Sequence, residues 1–130
     1  MNEMIRSATA KRYGIDNTPT PEIKANLKLL VEKVLDPLRE AWGAPIIVDS
    51  GYRCGRLNKI LKGSSTSQHL LGQAADIRTV SDKPEDNKRL FDLIRKLGLP
   101  YDQLIDEYNY NWIHVSYGPR HRRLILHLPV

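Results

Sequence analysis

At 130 residues, with 41% hydrophobic and 27% charged side chains, the chain has the length and balance of a single soluble globular domain, 1–130, able to bury a core without staples. Its one cysteine, Cys54, excludes an internal disulfide framework and any thiolate metal cluster. A net charge of +5 favours polyanionic partners such as nucleic acid, an anionic membrane or an anionic wall, but no nucleic-acid motif accompanies it.

The opening residues, Met1–Arg6, lack an apolar run after a basic start, so no secretory signal is expected, and no stretch reaches transmembrane length. A short helix is expected up to Tyr13, stopped by Gly14. The turn-rich Asn17-Thr18-Pro19-Thr20-Pro21 leads into the longest helix, with Thr20 as cap, Pro21 at the first helical position and Glu22 favouring the dipole. Ile23, Leu27, Leu30, Val31, Val34, Leu35, Leu38 and Trp42 recur at helical spacing, so one stripe should face the core. Pro37 inside that stripe should kink the helix or begin a new turn, and Gly43 should end it.

Pro45–Val48 reads as a buried strand followed by a Ser50-Gly51 turn. Leu57, Ile60 and Leu61 suggest a short helix, and Gly63–Ser67 a polar loop delivering His69. Ala74–Val80 reads as a strand carrying Asp76. Ser81 or Asp82 should cap the next helix, whose apolar face is Leu90, Leu93, Ile94 and Leu97 and whose stop is Gly98. Gln103–Tyr108 and Trp112–Tyr117 should form a hairpin around Asn109-Tyr110-Asn111, with a last strand over Leu124–Leu128. Helices first and a mostly antiparallel sheet afterwards predict an α+β fold. The basic run Arg120-His121-Arg122-Arg123 reads as a solvated strand start.

The chemistry concentrates in Ser67-Gln68-His69-Leu70-Leu71-Gly72-Gln73-Ala74-Ala75-Asp76 and in Trp112-Ile113-His114-Val115-Ser116. Two imidazoles and one carboxylate form the usual protein half of a catalytic zinc site, the fourth position being left to water. Taken alone, a His–Asp pair is more often a hydrogen-bonded structural pair. Gly72, Ala74 and Ala75, however, allow a tight turn and close packing between His69 and Asp76. Strand alternation puts Trp112, His114 and Ser116 on one face. His121 and His127 lack such a context and read as surface or sheet residues.

The first segment resembles the Ser-x-His-x-x-Gly-x-Ala-x-Asp signature of the M15 zinc peptidases, the D-alanyl-D-alanine carboxypeptidase family, whose fold is shared with hedgehog signalling domains. Asp49-Ser50-Gly51-Tyr52-Arg53, Leu57-Asn58-Lys59 and Gln103-Leu104-Ile105 agree in the same order. The resemblance implies a hedgehog/DD-peptidase fold and Zn2+ held by His69, Asp76 and His114. It implies hydrolysis of peptide bonds in peptidoglycan stem peptides or muropeptides, as a carboxypeptidase or an endopeptidase. By the same resemblance Glu107 is the proton-handling carboxylate, with Asp106 as second choice. Some relatives carry a carboxylate three residues before the last histidine, where this chain has Asn111. Arg53 is implied in binding substrate or transition-state anion, while Ser67, Gln68 and Trp112 complete the expected substrate contacts. Expectations for the whole are a monomer with no nucleic-acid partner and no membrane insertion. It would be made without a signal peptide and act at the wall after release, as a phage or prophage lysin, or on cytoplasmic wall precursors. The competing expectation is a non-catalytic zinc-containing binding module of the same fold.

Overall fold

The structure, a computed structural model, describes residues 2–129. Its elements are a 3-10 turn Asn2–Met4, α1 (Ala8–Arg12), α2 (Pro21–Leu30), α3 (Asp36–Trp42), β1 (Ile46–Ser50), α4 (Gly55–Ile60), β2 (Ala74–Thr79), α5 (Pro84–Lys96), β3 (Gln103–Glu107), β4 (Trp112–Ser116) and β5 (Leu124–Leu128). The strands form one sheet in the order β1-β2-β4-β3-β5, antiparallel throughout except for the β3–β5 pair. The expected α+β class is therefore present.

The long helix is real but interrupted. Thr20 Oγ1 accepts from Ile23 N and Pro21 opens α2, so the start is capped as expected. Between α2 and α3 the backbone widens into a π-helical turn, Val31–Leu35, where Asp36 N bonds Val31 O. Pro37 has no N–H and its ring crowds the preceding turn; one wide turn relieves that crowding while keeping the helix direction. Gly43 ends α3 in the left-handed region at φ 72°. The cap expected for α5 differs. Lys83 is its N-cap and makes no side-chain cap bond; Ser81 Oγ instead donates to Asp86 Oδ2 and accepts from Lys83 N. Leu90 and Ile94 are buried as expected and Leu93 is half-buried, but Leu97 lies at the C-cap and is exposed, and Phe91 is buried as well.

One face of the sheet builds the core. Val48, Ala75, Ile77, Leu104, Ile113 and Val115 meet Leu27, Leu30, Val34, Leu35, Leu38, Leu90, Phe91 and Ile94 from the helices. Each such side chain fully withdrawn from water contributes roughly 1.5–3 kcal/mol of transfer free energy. Period-2 alternation leaves Asp76, His114, Trp112, Ile105 and Glu107 on the other face, and the register aligns them: Asp76 opposite His114, Ile105 opposite His114, Glu107 opposite Trp112. Packing of the hydrophobic face thereby fixes where the polar residues lie. No helix among the described residues is long and apolar enough to cross a membrane.

Candidate metal centre

Two loops and two strands converge on the polar face. After β1, the β1–β2 register shifts between Val48 and Ser50, and the chain passes close against Met4, with Tyr52 N bonding Met4 O at 2.7 Å. A Cβ on Gly51 would collide with the Met4 backbone, so only glycine fits there. Asn17, buried and far away in sequence, holds the same loop by donating to Ile5 O and Tyr52 O and accepting from Cys54 N. The second loop is a 3-10 turn, Gln68–Leu71, whose start is capped by Ser67 Oγ accepting from His69 N at 3.2 Å. Gly72 ends it at φ +70°, where a Cβ would lie 2.8 Å from both Ile23 Cγ2 and Ile23 O. The conformation and the space both demand glycine.

The loops are tied together through His69: its carbonyl accepts from Arg53 N at 3.1 Å, and its Nδ1 faces Gly51 O at 2.7 Å. A carbonyl only accepts, so Nδ1 carries the proton. His69 Nε2 then points at Asp76 Oδ1, 3.3 Å away, and His114 Nδ1 approaches the same oxygen at 3.0 Å. The two rings are edge to face, 5.1 Å apart between centroids. Three ligand atoms, one from each residue, lie within 4.8 Å of one another. All three side chains are largely buried.

Arg53 balances the charge of Asp76 at Oδ2, but Oδ1 is left facing an imidazole nitrogen that does not donate to it. A neutral His69 with its proton on Nδ1 turns a bare lone pair toward a carboxylate oxygen, which is repulsive unless the ring takes a second proton or a cation sits between the groups. Two imidazole nitrogens and one carboxylate oxygen suit zinc-class divalent ions. The bond from His69 Nδ1 to a carbonyl is the outer support that metal-ligating histidines ordinarily have. Burial pushes the Asp76 carboxyl up, but His69 and His114, by charge and by hydrogen bonding, outweigh it and hold the group well below the usual carboxylate range.

The centre opens onto a cleft of about 770 Å³ whose lining includes Arg53, Ser67, Gln68, His69, Asp76, Glu107, Trp112 and His114. Glu107 stands at the end of β3, where its Oε2 accepts from Trp112 Nε1 at 2.7 Å, and Trp112 packs on Tyr108. The next residue back lies on the other side of the sheet. Asp106 is buried in the helix-facing layer, accepting from Tyr110 N at 2.7 Å and meeting His127 Nδ1 at 2.7 Å. It does not line the cleft.

Arg53 is more constrained than an open clamp. It donates from Nε to Ser50 Oγ (3.0 Å), from Nη1 to Asn58 Oδ1 (3.2 Å) and from Nη2 to Asp76 Oδ2 (3.2 Å). Three of its donor groups are thus engaged in holding the centre. Gln68 Nε2 reaches Gln73 Oε1 at 3.4 Å, and Gln68 Oε1 is a buried atom without a hydrogen-bond partner.

All four residues of the basic run are exposed and lead directly into β5, as expected, but two of them do more than meet solvent. β5 begins at Leu124, and Arg122 turns inward to grip the fully buried Asp102 with Nε at 2.8 Å, Nη2 at 3.1 Å and backbone N at 3.1 Å. Arg120 Nη2 stands 3.5 Å from the same carboxylate, and both arginines line the cleft. The sequence signal was available: Asp102 precedes a strand that also needs its neighbours apolar, and a buried acid calls for a cation. Asn17, by contrast, gave none, because its partners are backbone groups remote in sequence.

A family model described as Peptidase M15 matches residues 1–116. No curated protein matches the chain.

Proposed function

The chain belongs to the M15 peptidase family, and from that premise we propose that it is a zinc-dependent peptidase of hedgehog/DD-peptidase fold acting on peptidoglycan stem peptides. The observation that carries this reading is the His69–Asp76–His114 set: three converging ligand atoms, one a lone pair turned toward a carboxylate oxygen, facing an open cleft. Zinc held there would supply Lewis acidity, polarising a scissile carbonyl and acidifying a water.

The chain's own residues do the rest. Amide hydrolysis needs a group that removes a proton from the attacking water and returns it to the leaving amine. Glu107 is the carboxylate on the cleft face; Trp112 Nε1–H occupies its Oε2 and leaves Oε1 to take that proton. The same hydrogen bond fixes the carboxylate's rotamer, so the base is aimed before substrate arrives. Asp106 belongs to the opposite face and serves the hairpin. Arg53 keeps Asp76 oriented, and its remaining N–H groups are available to a substrate oxygen. Ser67 spends a lone pair on His69 N and keeps its O–H to donate, Gln68 Oε1 offers an acceptor, and the Trp112 ring gives the peptide a flat wall.

The test is release of D-alanine or of a split stem peptide from muropeptides by wild type, Glu107→Gln and Asp106→Asn at equal zinc content. Glu107→Gln should lose about 10²–10⁴-fold in rate, with Asp106→Asn retaining most activity if it folds. Full activity in Glu107→Gln removes the carboxylate's role. Zinc-loaded wild type that binds stem peptides without cleaving them makes the chain a binding module instead.

A further inference from the structure

Arg120, Arg122 and Asp102 form a charged end wall to the cleft that the peptidase chemistry above does not use. Two guanidiniums meet one carboxylate, so the trio carries a net charge of +1. Asp102 is fully buried beneath, whereas the side chains of Arg120 and Arg122 are 60% and 36% exposed. The buried acid holds its partners from below and leaves their outer N–H edges toward the cleft. Arg122 has committed Nε and one Nη2 hydrogen, so its Nη1 group stays available, and Arg120 makes only a single long contact. Lys62 adds a further positive charge to the lining; Glu107, the nearest acid not already paired to a cation, stands at the far end of β3.

The register fixes where this wall lies relative to the centre. On β4, Trp112 and His114 line the cleft, and Ser116, on the same face but fully buried, accepts from Gln103 N at the end where Asp102 immediately precedes β3. His114 is therefore midway, with Glu107 and Trp112 about 6.6 Å to one side and Gln103 about 6.6 Å to the other, at two strand residues each way, and Asp102 one residue further, at about 10 Å. An extended peptide advances about 3.3–3.6 Å per residue, so a group two or three residues from the bond at the centre reaches the arginines that line the cleft there. His121 and Arg123, which flank Arg122, hold φ of 42° and 51°, conformations uncommon for non-glycine residues, and Asp102 bonds to Arg122 N across this strained turn. All of these wall arginines lie beyond residue 116, outside the stretch that matches the family model.

We propose that Arg120 and Arg122 form an anion subsite that selects a substrate carboxylate two or three residues from the bond placed at the centre. The ligand's being a peptide rests on the peptidase reading; the carboxylate preference rests on the arginines. Two sources offer that group, the terminal α-carboxylate and an acidic side chain, and a forked guanidinium contact suits either.

The experiment is calorimetric titration of zinc-loaded Glu107→Gln protein, chosen to suppress turnover, with an acetylated alanine tetrapeptide in three forms: C-terminal acid, C-terminal amide, and amide with glutamate at the penultimate position. One or both carboxylate forms should bind at least about tenfold tighter than the neutral amide, as expected for a charge-assisted fork. Preference for the acid assigns the terminal carboxylate and preference for the glutamate form assigns the side chain. Adding Arg120→Gln, a change at an exposed residue, should reduce that preference, and adding Arg122→Gln should abolish it. Equal affinity for all three forms, or a preference that survives the double arginine replacement, overturns the subsite. Acid-over-amide preference in a wild type that never hydrolyses muropeptides sinks the peptidase reading alone, whereas hydrolysis without any preference sinks the subsite alone.

Discussion

Two buried aspartates, Asp76 at the centre of the cleft and Asp102 beneath the arginines that line it, are treated differently by the fold. Asp102 has its countercharge built in: Arg122 gives it three hydrogen bonds and Arg120 a second cation, and both remain charged at any working pH. Asp76 has one guanidinium on Oδ2, while its Oδ1 faces two imidazole nitrogens, one of them oriented as a lone pair by Gly51 O. The first carboxylate is saturated by protein donors. The second keeps one oxygen to which His69 does not donate. The same residue type is thus an anchor in one place and a candidate metal ligand in the other, and the difference lies in whether its neighbours bring protons.

The comparison breaks most visibly at Asp102. Asp102→Asn should lower unfolding stability by about 2–3 kcal/mol, at the lower end for a broken buried ion pair because the arginines left behind can rehydrate. Zinc affinity measured on the same protein should stay within about threefold, since Asp102 lies outside the centre. A variant equally crippled in metal binding would show that the two ends are one network.

Acid titration sharpens the same point. Arg122 hydrogen bonds, against the opposing cost of burial, pull the Asp102 carboxyl down to about 2 from the ordinary 3.8. Because the folded value is the lower one, the stabilisation is fully present above about pH 4 and is lost as pH falls through about 2. It amounts to about 2 kcal/mol. Denaturant midpoints measured between pH 5 and 2 should fall less steeply in Asp102→Asn than in wild type; parallel curves would count against the pair.

The smallest effect expected is at Ser67. Removing its hydroxyl deletes the bond to His69 N, which should cost about 1 kcal/mol of stability and weaken zinc binding through a less ordered His69. Chelator competition on Ser67→Ala reads this, and unchanged affinity with unchanged stability would make the cap irrelevant to the centre.

Much of the fold could be read before the structure was seen because its signals are local. Pro21, Gly43, Gly72 and the alternation in Trp112–Ser116 act within a few residues of themselves. His69, Asp76 and His114 were legible for a similar reason, being embedded in short patterned segments. What escaped depends on the third dimension. Whether Asp106 or Glu107 faces the cleft follows from β3's register against β4, and Arg122's inward turn follows from Asp102 twenty residues earlier. The π turn before Pro37 is intermediate: a disturbance was predictable, but its form depended on α2 and α3 both packing on the sheet.

The most direct measurement is zinc bound per chain after chelator stripping, reloading and exhaustive dialysis, in wild type and in His114→Ala, each followed by thermal unfolding with and without metal. A ligand that binds the native state alone stabilises it by about 4 kcal/mol at a thousandfold excess over its dissociation constant. The account predicts one zinc per wild-type chain and a raised unfolding temperature, with both lost in His114→Ala. Wild type that retains no zinc and shows no thermal shift, or a His114→Ala variant that behaves like wild type, would contradict it.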